Sequence, residues 1–145
     1  MYYIRFSEKI KKMLIEHTFM NPTKECGGFL YGNVIKDNNN YFCDVDAIFF
    51  DKNKVGTDNG FVFSFSYVTS ALAMTKRFDS MELVGTYHSH GNYPAIFSDV
   101  DRESLQKYFG ENKITVIYSP KYSQLVGEFM DNDGVTHKTK ILTKK

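Results

Sequence analysis

A chain of 145 residues has room for one domain with a real hydrophobic core and little for a second. Its 42% hydrophobic and 24% charged residues describe an ordinary globular protein, and a formal charge of +1 supplies no global field to draw nucleic acid or a membrane surface. Cys26 and Cys43 are the only cysteines and form no CxxC pair, which excludes a zinc ribbon or thioredoxin-like dithiol and leaves free thiols in a reducing compartment as the expectation.

Residues 2–6 are predicted as a short strand. Ser7 is a suitable N-cap, and Ile10, Met13, Leu14 and His17 make one stripe of a helix to about Phe19, which Asn21-Pro22 stops. The opening "MYYIRFSEKIKKML" has no signal-peptide apolar stretch, and no apolar run approaches a membrane span, so a cytoplasmic protein is expected. "CGGFLYGNVI" (26–35) reads as a buried strand, "DNNN" (37–40) as a hairpin turn and "YFCDVDAIFF" (41–50) as the returning strand. After a polar loop over 51–60, "FVFSF" is a strand or strand entry and about 66–79 a second helix. "MELVGTYHSH" (81–90) is a β-rich strand, and Ser98 opens a third helix to about Phe109, before Gly110. "KITVIYSP", "SQLVGEFM" and "VTHKTKIL" are three closing strands, with turns at Pro120-Lys121 and Asn132-Asp133-Gly134. Strands mixed with helices, and no repeat or linker, predict a single α/β domain over residues 1–145.

The chemistry concentrates in "YHSHGNYPAIFSDVD" (87–101). Side chains on a strand repeat every second residue, so His88 and His90 project from one face and can offer both imidazoles to one ion. Alone, such a pair is as open to an incidental reading as to a ligand role. Asp101 can complete a set of two histidines and one carboxylate, leaving an open fourth position as catalytic zinc sites do. Ser98 and the acids after it also read as an ordinary helix start, and that does not conflict, because a capped first turn fixes where Asp101 points. Gly91 permits a sharp turn after the second histidine and Pro94 stiffens the loop. Ile96 and Phe97 can pack beneath it or face substrate, with packing the expectation. Tyr87 and Tyr93 are as open to packing as to holding a peptide. His17 and His137 are taken as structural or solvent-facing. The absence of HExxH, PCxxC, GxSxG and Walker patterns sets aside helical zincins, zinc deaminases, serine hydrolases and P-loop enzymes.

Glu25, His88-x-His90 and Ser98-x-x-Asp101 together resemble the JAMM signature of the MPN-plus (JAB) zinc metalloprotease family, and "ECGGFLYG" is similar to its first-strand motif. The order of elements matches over nearly the whole chain. The resemblance implies a mixed, mainly antiparallel sheet flanked by helices, with a cytidine-deaminase-like architecture. It implies that His88, His90 and Asp101 ligate one Zn²⁺, that Glu25 deprotonates the attacking water, and that Ser98 stabilises the oxyanion. A fixed donor there is typically worth about 3 kcal/mol. The implied activity is an isopeptidase or peptidase that cuts after the C-terminal tail of a ubiquitin-like or sulfur-carrier-like protein. Defence conjugates, carrier adducts and phage or peptidoglycan peptides all stay open as substrates. Gly91 stands where the family often has proline, which touches substrate preference but removes no ligand. The chain lacks the long insertions of chain-specific deubiquitinases and looks like a minimal, prokaryotic or phage-type member. The alternative is a non-catalytic MPN scaffold that binds partners; oligomeric state is not legible.

Overall fold

The structure is a computed structural model and describes residues 1–20, 26–51, 80–90, 94–97 and 112–144. Its elements are β1 (Tyr2–Ser7), α1 (Glu8–Phe19), β2 (Gly27–Asp37), β3 (Asn40–Phe50), β4 (Glu82–Ser89), β5 (Lys113–Ser119), β6 (Gln124–Met130), β7 (Thr136–Lys138) and β8 (Lys140–Lys144). Helix α1 starts where its cap predicts: the Ile10 amide donates to Ser7 Oγ at 3.2 Å. It buries Ile10, Leu14 and Thr18, one face at helical spacing. Burial of a side chain such as Leu14 contributes roughly 1.5–3 kcal/mol. The β2–β3 hairpin turns at Asn38-Asn39, where Asn38 adopts a φ of 56°, a left-handed conformation that asparagine tolerates better than most residues.

All eight strands join one sheet in the order β7-β6-β5-β4-β2-β3-β1-β8. The pairs β1–β3, β1–β8 and β4–β5 are parallel, and β2–β3, β2–β4, β5–β6 and β6–β7 are antiparallel. The sheet is therefore mixed, as expected. β4 lies in the middle and is buried along its length from Leu83 to Ser89. At Gly85 the neighbouring strand comes so close that an added Cβ would stand 1.9 Å from the Ile114 carbonyl oxygen, so only glycine fits.

The sheet departs from the expected picture in its curvature. β7 and β8 stand at opposite ends of the strand order, yet only Thr139 separates them in the chain. The Thr139 hydroxyl donates to the Gly127 carbonyl at 2.7 Å, and Ile4 of β1 packs into the space that the missing side chain of Gly127 on β6 leaves. Among the described residues the fold is mostly strand, nearly barrel-like, with one helix, and is not clearly a sheet flanked by helices. The reason is that "VTHKTKIL" divides into two short strands that pair with β6 and with β1, and so draw the two edges together. The strand expected at 61–65 and the helices expected at 66–79 and 98–109 lie outside the described residues. The core fills the curl, with Ile4, Phe6, Leu14, Leu30, Val84 and Phe129 among its members. Arg5 and Lys144 both grip the buried carboxylate of Asp44, so charge joins β1, β3 and β8 as well as backbone bonds. No described helix is long and apolar enough to cross a membrane.

Candidate metal centre

The end of β4 holds the two central histidines. Parallel pairing with β5 carries the ladder up to Ser89, and the His90 amide extends it by donating to the Tyr118 carbonyl at 3.0 Å. Backbone on both sides thus fixes where His88 and His90 leave the sheet. His88 is buried and His90 partly so. Their Nε2 atoms face each other 3.2 Å apart.

The other nitrogen of His90 explains that orientation. Nδ1 lies 2.9 Å from the Pro94 carbonyl oxygen, which can only accept, so Nδ1 carries the hydrogen and Nε2 is the nitrogen turned towards His88. The Pro94 carbonyl also accepts from the Ile96 amide at 2.9 Å, a three-residue turn that aims the oxygen. The Ala95 amide donates to Gln124 Oε1 at 3.1 Å, tying the same segment to β6. A hydrogen bond of this kind from the outer nitrogen fixes the tautomer and ring plane of metal-binding histidines in general. Ile96 is 65% exposed, so the expectation that it packs under the loop does not hold; the tight turn directs it outward.

The opposite face of the strand is built differently. Tyr87 and Ser89 alternate with the histidines and are fully buried. The Tyr87 hydroxyl is hydrogen-bonded to His17 Nδ1 at the end of α1, and the His17 ring stacks on Phe50 at 4.0 Å. Burial pushes the Tyr87 phenol well above its ordinary value. Tyr87 is thus a core residue and does not line a peptide groove. His17 is structural, clamped between helix and sheet. Cys26 and Cys43 are free and buried. Cys26 lies against Tyr87 and Ser89, and burial raises the Cys43 thiol, which makes it inert.

Of the proposed site residues, the structure brings together His88 and His90. Glu25, Ser98 and Asp101 lie outside the described residues, as do Gly91 and Tyr93. Among the described residues no group of three or more His, Cys, Asp or Glu is gathered as a metal site. The donor pair itself suits zinc: two nitrogens each about 2.0–2.1 Å from one tetrahedral ion stand roughly 3.3–3.4 Å apart, close to the spacing seen. The carbonyl of Pro94 and the hydroxyl of Ser89 had no side-chain pattern to announce them, although Ser89 sits inside the His-x-His motif.

In fold, the chain is similar to protein DSY2949 from Desulfitobacterium hafniense, whose solution structure superposes with a TM-score of 0.69 at 21% identity, over 98% of this chain and 93% of that one. No curated protein matches the sequence. The profile described as "Prokaryotic homologs of the JAB domain" matches residues 7–131, from the cap of α1 to the end of β6. JAB domains at large include metalloisopeptidases, prokaryotic homologues are often non-catalytic, and the chain belongs to the family of prokaryotic JAB-domain homologues.

Proposed function

We propose that the protein is a zinc-dependent isopeptidase or peptidase that cleaves after the C-terminal tail of a ubiquitin-like or sulfur-carrier-like protein. The observation that carries this reading is the mutual approach of His88 and His90 Nε2, with the His90 ring held by a backbone carbonyl. His88 and His90, with Asp101 as third ligand, would hold the ion. A zinc bound there supplies a Lewis acid and brings the pKa of water down to about 7.

The chain's own residues have the remaining work. Glu25, one peptide bond before the buried Cys26, takes the proton of the attacking water and returns it to the leaving amine. Ser98 donates to the oxygen on which charge develops when the carbonyl is attacked. Retention of every motif residue in the sequence, together with two imidazoles held nitrogen to nitrogen, favours an enzyme over a scaffold. A ubiquitin-like tail ending in Gly-Gly fits a protease of this family, and the protein acts as a cytoplasmic hydrolase in this reading.

Elemental analysis of protein purified without chelator should find near-stoichiometric zinc. A peptide ending in Gly-Gly-aminocoumarin should be hydrolysed, and Glu25→Gln should slow turnover by about 10²–10⁴-fold, as expected for loss of a general base, while keeping the metal. Equal turnover by the variant sinks the mechanism. Protein without zinc and without hydrolysis supports the scaffold instead.

A further inference from the structure

The residue between the two histidines has its own connections. Ser89 is completely buried, and Cys26, at the start of β2, nearly so. The last registered β2–β4 pair is Gly27 with His88. One residue further on, the Ser89 amide donates to the Cys26 carbonyl at 2.8 Å, as a ladder requires. The reciprocal bond is different: the Cys26 amide donates to the hydroxyl oxygen Ser89 Oγ at 2.9 Å. The side chain of Ser89 therefore takes the place of a backbone acceptor at the point where β2 begins. The Cys26 thiol lies 3.4 Å from the same oxygen.

We propose that Ser89 is a positioning residue: its hydroxyl pins the Cys26 amide to the strand that carries His88 and His90, and so fixes the backbone point to which the residue before Cys26 is joined. The inference rests on the hydrolase reading, in which Glu25 is that preceding residue. Alternation on β4 makes the arrangement economical, because one tripeptide presents two imidazoles on one face and the anchor for the segment bearing the base on the other. The anchor acts on geometry alone. A catalytic group displaced by about 1 Å can cost on the order of 10²-fold in rate, whereas the affinity of the ligands for metal depends on their own placement.

The test compares wild type, Ser89→Ala, Ser89→Thr, Ser89→Val and Cys26→Ser on the Gly-Gly-aminocoumarin peptide. It is read together with Co²⁺ titration by visible absorption and amide exchange at Cys26. Ser89→Ala should lose exchange protection at Cys26 and bind Co²⁺ with an unaltered spectrum. Its kcat should fall about 10–100-fold with KM within about twofold. Ser89→Thr keeps the hydroxyl and should restore most of kcat. Ser89→Val has the same shape without it and should not, a contrast that decides the matter even if Ser89→Ala fails to fold. Cys26→Ser leaves the amide bond in place and should resemble wild type. Unchanged kcat in both Ser89→Ala and Ser89→Val overturns the inference, as does Co²⁺ binding lost in proportion to turnover, or Cys26→Ser falling as far as Ser89→Ala. Inactive wild type overturns the hydrolase reading and this inference with it; active wild type with indifferent Ser89 variants overturns this inference alone.

Discussion

Histidines stand on the central strand of the sheet and on its edge strand β7, and the contrast between them separates a candidate ligand from a structural imidazole. At the C-terminal end of β4, the His90 ring gives its hydrogen to a neutral carbonyl and turns its other nitrogen towards His88. At the far end, beyond β6, His137 Nε2 lies 2.7 Å from the Asp131 carboxylate, and its ring stacks on Tyr2 at 4.1 Å. That carboxylate is spoken for as well: Asp131 Oδ1 accepts from the Asp133 and Val135 amides and so closes the β6–β7 turn. A histidine facing a carboxylate locks a turn. A histidine held by a carbonyl turns its other nitrogen to a second imidazole, the arrangement from which two rings can share one cation.

Substitution at the two positions should break this contrast most visibly. His88→Ala should abolish stoichiometric zinc and lower turnover on the order of 10³-fold, the scale of losing several kcal/mol of Lewis-acid stabilisation. His137→Ala should leave both untouched. Elemental analysis beside steady-state kinetics checks the pair, and zinc lost equally in both variants would erase the distinction.

A subtler change tests the carbonyl that holds His90. Pro94→Gly frees the backbone whose turn aims that oxygen, and should weaken metal affinity by about tenfold, at the lower end of effects from outer hydrogen bonds. Competition against a fluorescent zinc chelator measures it. An affinity equal to wild type would mean that the Pro94 carbonyl contributes nothing to ring placement.

The smallest effect belongs to the far end. The hydrogen bond from His137, and after it the Val135 amide, hold the Asp131 carboxyl below its usual 3.8. A lowered carboxylate contributes stability that is present above the usual value and lost as the pH falls through the lower, folded one. Asp131→Asn should therefore cost a little stability at neutral pH and flatten the acid limb of a urea-midpoint profile below about pH 4. An acid limb identical to wild type would show that this turn does not participate in acid unfolding.

Much of this arrangement is legible from the residues, and the parts that are not share a cause. The helix from Glu8 to Phe19 follows from a capping serine and an apolar stripe, both local signals. The convergence of His88 and His90 follows from strand alternation. Tyr87 was ambiguous because alternation assigns a residue to a face without saying that a helix covers that face. The Pro94 carbonyl has no side-chain signature at all. The curl of the sheet rests on Ile4 meeting Gly127 and on Thr139 reaching back to Gly127, contacts far apart in sequence that no periodicity encodes.

The closing of that curl also sets the order in which the molecule can be made. β1 lies between β3 and β8, so one of its edges is satisfied only by residues 140–144. On the ribosome, β1 emerges well before β8, and an open strand edge in the interval invites pairing with other chains. Contacts of such long sequence separation slow folding. The exposed Lys140 at the start of β8 then helps blunt the outer edge that remains once the strand has docked.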